Sequence, residues 1–548
     1  MESTAKQKTN INTSSLFTLI TRSNTMKQSS IFRRGVSVVL ALVLMIGLAM
    51  SQNNLVLGGG TVTNSGTIRV GGNITNSGVA GATTIGGTVE LKGTGAQGIG
   101  TGGGGNGAIN FATLRSTGAS AKTFNVASAV STTINHVNGG AAQFVVAAGQ
   151  TLTLTGTITN TGGAGSPYDF TASGATVDYA LSGAQTVFAT TYDVLTASVG
   201  GTKSLGGAVT ATSDLNVTAG DLSIGAFTLT VNGTYDVAGT VTGGATSSLI
   251  LNGTGSLASF AVANGLQNFT LNRTGDVVTM SNSLDVVGAF TLTAGTLAVG
   301  TNTLALSGAV SAPAGLLTSA ATGTVNYAAG TQNVIASNYG NLTFTLGDKT
   351  LPAVGTVGIA GTFSVLAGTH TVTGSTVDFN GAAQSIPTFT FNNLLTSGSG
   401  IKSAVGTITI GNNFDNGGTT NAAVTLAMGT NTLTLGAGTS VNDGATIQFG
   451  GAANGLLFTT GTIQYNGDLT QTIAGSGNHN NLLLTTSTTS TKNILGGVTV
   501  GTSSSLTVPS GVTLALAGGS TLNLLGTSDL TVATGATLDN SGTIEVGP

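Results

Sequence analysis

The stretch that decides the fold is residues 506–547, LTVPSGVTLALAGGSTLNLLGTSDLTVATGATLDNSGTIEVG. It carries a leucine at every eighth position, Leu506, Leu514, Leu522, Leu530 and Leu538. A second apolar residue follows two positions after each of the first four. Because residues i and i+2 share one face of a strand and helices need i, i+3 and i+4, this pattern predicts short strands. Strands and turns at one fixed spacing predict a solenoid of stacked rungs.

The composition supports a folded repeat protein and excludes several functional classes. The 548 residues are 40% hydrophobic, only 6% charged and include 87 glycines, which fits neither disorder nor an ordinary globular enzyme. A formal net charge of -3, with no basic block after residue 34, argues against nucleic acid and membrane surfaces as partners. The absence of cysteine excludes disulfides, thiolate catalysis and Cys-ligated metals.

Residues 1–51 are predicted to be an N-terminal extension and a secretory signal peptide, with Met26 as an alternative start. Lys27, Arg33 and Arg34 precede the apolar run 35–50, and small residues follow for cleavage before Gln52. The run is short for a membrane span, so a cleaved signal is favoured over a retained anchor. Residues 52–548 then form one repetitive β-solenoid with no further membrane span.

A longer repeat is superimposed on the short triplets. Its copies begin with Thr-Val/Ile-x-aromatic at 176–179, 324–327, 376–379 and 462–465, and weaker copies start near Thr88 and Thr254. Each of the four continues with a glutamine, a leucine and a lysine: Gln185, Leu195, Lys203; Gln332, Leu342, Lys349; Gln384, Leu394, Lys402; Gln471, Leu482, Lys492. The copies are unevenly spaced, which a stack held by nearest-neighbour contacts tolerates.

These Gly/Thr/Asn-rich units behind a signal peptide resemble the repetitive secreted surface proteins of Gram-negative bacteria. More loosely, they resemble the parallel β-helix passengers of autotransporters and filamentous haemagglutinin-like adhesins. The resemblance implies a structural or adhesive protein, secreted or on the outer surface of the cell, that contacts cells, matrix or polysaccharide. The chain shows no outer-membrane barrel pattern and no wall-anchoring motif, so the family's attachment route is not carried over.

The predicted fold is therefore all-β, a right-handed parallel β-helix or β-solenoid. Three strands of seven or eight residues to a rung give about 20 to 22 rungs, stacked roughly 4.8 Å apart. The alternative is a set of tandem antiparallel β-sandwich modules, because short strands at this spacing are typical of those folds as well.

The sequence predicts no catalytic, cofactor-binding or metal-binding residues. After residue 51 the only glutamates are Glu90 and Glu545, and His136, His370 and His479 lie too far apart for a metal motif. His370 falls where a core residue is expected. Because carboxylates can meet across rungs without a trace in the sequence, a carbohydrate-active β-helix enzyme of lyase or glycosidase type stays the main alternative function.

Two repeated residue types suggest binding surfaces. Tyr179, Tyr327, Phe379 and Tyr465 could form an aromatic ladder, and we expect them to fill the core rather than line a strip for sugars. Threonines opposite the leucines suggest ice binding as a third function. The outward residues of successive strands after Leu506 form a poor array for ice: Thr507, Ala515, Asn523, Thr531 and Asp539.

Residues 64–71, NSGTIRVG, and 540–547, NSGTIEVG, differ only by Arg69 against Glu545. Two matching rungs with opposite charges at one position suggest that rods associate end to end, with Arg69 facing Glu545. A fragment of a longer array would show the same likeness, and the sequence favours that simpler origin.

Overall fold

The structure is a computed structural model that describes residues 54–58, 60–76, 82–100, 107–118, 120–137, 143–162, 167–253, 257–366, 368–416, 424–429, 431–435, 455–458, 462–465, 471–473, 477–479, 481–485, 489–501 and 505–547. The predicted extension and signal peptide, residues 1–51, lie outside this part of the chain. Within it there are 56 strands and no helix, so no helix is long and apolar enough to cross a membrane.

Strands β1 to β14 span Leu55–Leu57, Gly60–Val62, Thr67–Val70, Ile74–Asn76, Thr83–Leu91, Gln97–Ile99, Ile109–Ser116, Lys122–Phe124, Ser128–His136, Phe144–Val146, Thr151–Leu154, Thr157–Asn160, Tyr168–Asp169 and Thr176–Tyr179. Strands β15 to β28 span Gln185–Val187, Thr191–Ala197, Thr202–Leu205, Val209–Val217, Asp221–Ser223, Thr228–Val231, Thr234–Val237, Thr240–Asn252, Ser259–Phe260, Ala263–Met280, Leu284–Val286, Phe290–Ala298, Thr303–Leu306 and Val310–Ser311. Strands β29 to β42 span Leu316–Thr318, Thr324–Tyr327, Gln332–Asn333, Ser337–Tyr339, Asn341–Phe344, Lys349–Thr350, Thr356–Ile359, Phe363–Val365, Thr376–Phe379, Gln384–Ile386, Phe389–Thr396, Gly400–Ala404, Ile408–Asn416 and Val424–Gly429. Strands β43 to β56 span Thr432–Leu435, Gly455–Phe458, Thr462–Tyr465, Gln471–Ile473, Gly477–His479, Asn481–Leu484, Ser490–Ile494, Gly497–Val500, Leu506–Val508, Val512–Leu516, Thr521–Leu524, Leu530–Val532, Thr537–Asn540 and Thr543–Val546.

The strands pair in parallel with strands one rung away, and the result is a β-solenoid of about 20 turns. In the last two rungs, Leu530 lies on Leu506, Leu538 on Leu514 and Ile544 on Leu522. The eight-residue spacing therefore marks the three faces of one rung. The predicted all-β parallel solenoid is confirmed, and its right hand stays a prediction.

The alternative of antiparallel sandwich modules is wrong. Every strand pairing in the described residues is parallel, as in the series Leu152, Val177, Leu195 and Leu215. Consecutive strands in this chain turn a corner onto a new face, so they do not fold back on each other as hairpin strands do.

The core is a set of columns that run along the inside of the solenoid. Alternate residues of each strand point inward, and equivalent positions of successive rungs stack on one another. Phe144 and Tyr168 are in register in one such column, with ring centroids 5.7 Å apart, and the ring of Phe124 in the next rung lies 6.0 Å from that of Phe144. Each fully buried large apolar side chain contributes roughly 1.5–3 kcal/mol, so the stack needs no disulfide or metal.

Some corners accept only glycine. Gly253 has a φ of 99°, and a Cβ at this position would lie 1.8 Å from the carbonyl oxygen of Asn232 in the rung below. Side chains other than hydrogen are therefore excluded at this corner by both conformation and contact.

Candidate functional site

The aromatic residues of the long repeat lie inside the solenoid. Tyr179, Tyr327, Phe379 and Tyr465 are all fully buried, and none is in register with another of the four. Tyr327, for example, lies between Leu306 and Phe344. Since sugar stacking on the outside requires exposed ring faces, these residues offer no sugar-binding strip.

Two copies of the long repeat contain a buried pair of tyrosine hydroxyls. The Tyr179 and Tyr192 oxygens lie 2.7 Å apart, the Phe188 N–H donates to Tyr179 at 2.9 Å, and Tyr192 donates to the Phe188 carbonyl at 2.7 Å. Tyr327 and Tyr339 repeat the arrangement at 2.9 Å around Ile335. Burial raises the pKa of Tyr327 to about 12. These hydroxyls are committed to the core as hydrogen-bonding groups.

In the third copy, neither aromatic residue carries a hydroxyl, and the backbone N–H that bonds to the hydroxyl in the other copies is also missing. Phe379 and Phe391 replace the two tyrosines, with ring centroids 6.0 Å apart. Pro387 stands at the position of Phe188 and Ile335, where the other copies need a backbone N–H. In the other copies the N–H at this position donates to a tyrosine hydroxyl. Proline has no N–H, so the change from tyrosine to phenylalanine leaves no buried backbone donor unpaired in the third copy.

The glutamine and lysine of the repeat stack on each other one rung apart. Five in-register pairs occur: Gln97–Lys122, Gln185–Lys203, Gln332–Lys349, Gln384–Lys402 and Gln471–Lys492. The Gln384 side chain donates to the Ile359 and Gly361 carbonyls at 2.8 and 2.9 Å and accepts from the Gly381 N–H at 2.8 Å. The side chain of the glutamine thus joins its own rung to the rung below at this corner.

The lysine closes the same corner from the rung above. Lys402 is fully buried, and its Nζ donates to the carbonyls of Gly381 and Ala382, both at 2.6 Å, and of Ser399 at 3.3 Å. Nζ also lies 2.9 Å from Gln384 Oε1. Burial lowers the pKa of Lys402 to about 8. We call this glutamine–lysine pair the corner plug; its role is structural. The sequence pattern showed that the two residues recur but not that they meet.

A different feature faces outward: a column of partly exposed side chains on one face, in which six of the seven residues carry a hydroxyl. Seven strands stack in register so that their outward residues are Thr191, Thr210, Thr230, Ile250, Thr270, Thr291 and Ser311. A parallel column is formed by Thr228, Ser248 and Asn268. We call this surface the threonine face.

The residues of the threonine face are uncharged, and a column of asparagine side chains runs along one edge of it. Asn272 donates to Asn252 at 2.8 Å, and Asn252 donates to Asn232 at 3.3 Å. All the outward residues are small or of medium size, and they repeat about every 4.8 Å along the stack. It presents hydroxyl donors and acceptors next to methyl groups at regular intervals.

The strands that follow Leu506 at steps of eight residues lie on different faces, so their outward residues do not belong to one array. In the structure Thr507 is in register with Thr531, and Ala515 with Asp539. Thr390, Thr409 and Thr434 likewise stack on one another. Threonine therefore recurs at one outward position from rung to rung, and a comparison at steps of about 20 residues would have found it.

A second face carries threonines beside charges. Thr67, Thr88, Thr113, Thr133 and Thr157 stack in register, and the neighbouring outward column begins Arg69, Glu90 and Arg115. Arg69 Nε lies 3.0 Å from Glu90 Oε2. Glu545, the predicted partner of Arg69, is exposed on β56 and is in register with Asn523 in its own chain.

The titratable groups form no metal centre in the described residues. Asp378 binds the Ser397 N–H and hydroxyl at 3.1 and 2.8 Å, and burial raises its pKa. His370 packs between Phe344 and Phe389, with centroids 5.3 and 5.4 Å away, and its Nδ1 accepts from the Lys349 N–H at 3.1 Å. Burial lowers the pKa of His370, in keeping with a core role.

His370 is half-buried, whereas His136 is buried. His136 is in register with Ser116 and Asn160, and its side chain has no hydrogen bond to the described residues. The side chain of His479 lies outside the described part. No protein-family model matches this chain, and the searches of curated proteins and of solved structures find no match either.

Proposed function

We propose that the protein is a secreted or cell-surface structural rod, non-catalytic and adhesive, that binds an extended polysaccharide through the threonine face. The observation that carries the proposal is the in-register column from Thr191 to Ser311. An uncharged hydroxyl and methyl surface is cheap to desolvate, and its repeat offers many equal weak contacts to a repeating ligand. Such contacts add up through multivalency.

The setting follows the resemblance to haemagglutinin-like and autotransporter passenger proteins. We propose export through the signal peptide and display on the outer surface of a Gram-negative bacterium, where the partner is a neighbouring cell, matrix or its polysaccharide. The solenoid suits this role because its stability comes from contacts between the inward side chains of neighbouring rungs. The outward residues of all three faces are therefore free to vary.

The test is co-sedimentation of the purified protein with insoluble polysaccharides, together with a glycan array. Thr230→Tyr and Thr270→Tyr add bulk to the threonine face and keep a residue that favours strands. Thr113→Tyr makes the same change on the charged face and is the matched control. Binding that is lost in the first two variants and kept in the control supports the proposal; no binding, or equal loss in all three, contradicts it.

The same column also favours ice binding as a second candidate, because a regular rank of threonines can order water. Ice-affinity partitioning and thermal hysteresis with the same three variants decide between an ice ligand and a polysaccharide. Release of soluble sugars from the polysaccharide in the first assay would instead favour a carbohydrate-active enzyme.

A further inference from the structure

We propose that copies of this chain associate head to tail, with β1–β3 of one copy stacking on β54–β56 of the next as an additional rung. In the described residues, each of these two sets of strands is paired on one side only. The proposed contact is separate from the threonine face, so it goes beyond the proposed adhesive function.

The two rungs match in local geometry as well as in sequence. Before β3, the side chain of Asn64 accepts from the Gly66 N–H at 3.0 Å, and before β56, Asn540 accepts from the Gly542 N–H at 3.0 Å. The same turn therefore leads into the same strand in both rungs. Alignment of these turns places Thr543 on Thr67 and Ile544 on Ile68, the register that β3 already has with β5.

Charges in that register alternate. Arg69 already pairs with Glu90 at 3.0 Å, and Glu90 is in register with Arg115. Glu545 of a second copy would stand below Arg69 and extend the series to Glu, Arg, Glu, Arg. The distance within the chain shows that an arginine and a glutamate fit this position of neighbouring rungs.

Apolar side chains of the last rung remain uncovered. Val546 is 70% exposed, whereas its counterpart two rungs away, Val500, is fully buried, and Val532 is 41% exposed. The contact would cover Val532 with Leu57, Leu538 with Val62 and Val546 with Val70. Unpaired strand edges of this kind are templates for another chain, and only a matching rung satisfies all three faces.

The backbone offers the complementary hydrogen bonds. The Thr88 N–H donates to the Gly66 carbonyl, so by the alternation of a parallel ladder the Thr67 N–H points away from β5. On β56, the Thr543 N–H donates to the Ser520 carbonyl in the rung below. By the same alternation, the carbonyls of Gly542 and Ile544 point to the other side. Thr67 would donate to the carbonyl of Gly542 in the neighbouring copy.

The experiment is sedimentation velocity of the purified protein over two decades of concentration, with electron microscopy of the products. We expect rods that lengthen as concentration rises. Glu545→Arg sets two like charges against each other and weakens association about tenfold. Thr67→Pro removes an N–H that faces away from β5 and that no described residue of its own chain accepts, so it blocks the contact. Proline is tolerated at such a position of an edge strand.

Asp539→Arg is the matched control, because it makes the same change of charge on the same rung but would face Thr63. It should associate like the native protein, and polysaccharide binding by Glu545→Arg should be unchanged. A protein that stays monomeric throughout overturns the proposal. Association that survives both Glu545→Arg and Thr67→Pro, or that Asp539→Arg weakens equally, overturns the proposed register.

Discussion

Replacing Lys402 by methionine tests whether the corner plug stabilises the solenoid. Methionine keeps most of the length and the apolar stem of lysine but removes the ammonium group. The Ala382 and Ser399 carbonyls, 2.6 and 3.3 Å from Nζ, then lose a buried donor. The Gly381 carbonyl keeps the Ser399 N–H at 3.2 Å, and Gln384 Oε1 keeps the Gly381 N–H at 2.8 Å. A polar group left unpaired costs about 1–3 kcal/mol, and the relief of burying a charge offsets part of this. We expect a net loss of about 3 kcal/mol.

The loss should be local, because each rung contacts only its neighbours. Hydrogen exchange followed by mass spectrometry measures the free energy of opening for each segment. Exchange in β38 and β40 should accelerate about a hundredfold, the factor equivalent to roughly 3 kcal/mol. Exchange in β20, many rungs away, should not change.

The control is Lys92→Met, since Lys92 is partly exposed and belongs to no glutamine–lysine pair. It should leave exchange in β38 and β40 at the native rate. If Lys402→Met exchanges like the native protein there, the carbonyls do not depend on the ammonium group, and our explanation of the repeated lysine is wrong.

Stability should rise between about pH 8 and pH 10, because burial lowers the pKa of Lys122 and Lys402 to about 8 and the unfolded chain binds more protons in this window. Stability should fall again above pH 10, because tyrosines of the unfolded chain ionise there while folded Tyr327, with a pKa of about 12, keeps its proton. Urea unfolding at pH 7, 8.5, 10 and 11 measures both the rise and the fall of the free energy of unfolding. Tyr327→Phe should cost about 1–3 kcal/mol by stranding the Ile335 N–H, and Ile335→Pro added to it should recover part of the loss. Thermal unfolding of the two variants measures this, and a double variant less stable than Tyr327→Phe would contradict the role assigned to Pro387.

The strands and their stacking could be predicted from the sequence because both depend on local patterns. Alternation with period two identifies strands such as Leu506–Val508 without knowledge of what lies beside them. The interpretation of His370 as a core residue agrees with its packing between Phe344 and Phe389 for the same reason.

The threonine face repeats at nearly constant steps of 19 to 21 residues, so a comparison at that step could find it. The corner plug could not be found from the sequence, because it depends on which residues lie one rung apart. That separation is 18 residues from Gln185 to Lys203 but 25 from Gln97 to Lys122. Turns of variable length set the difference, and no local pattern reports it. The sequence therefore showed that glutamine and lysine recur, without showing that they pair.

The two features meet the same requirement, a fixed register. A one-residue slip of a strand would turn its outward threonine into the core, so a regular face requires a strict register in every rung. From Thr191 to Ser311 the steps between stacked residues are 19 to 21, so turns of nearly constant length keep that face aligned. Outside this stretch the steps vary, and Gln384 and Lys402 bond there to fixed carbonyls of the rung below. Buried polar groups with fixed partners can select one register among several in this way. We infer that the corner plug holds the register of rungs whose turns vary in length.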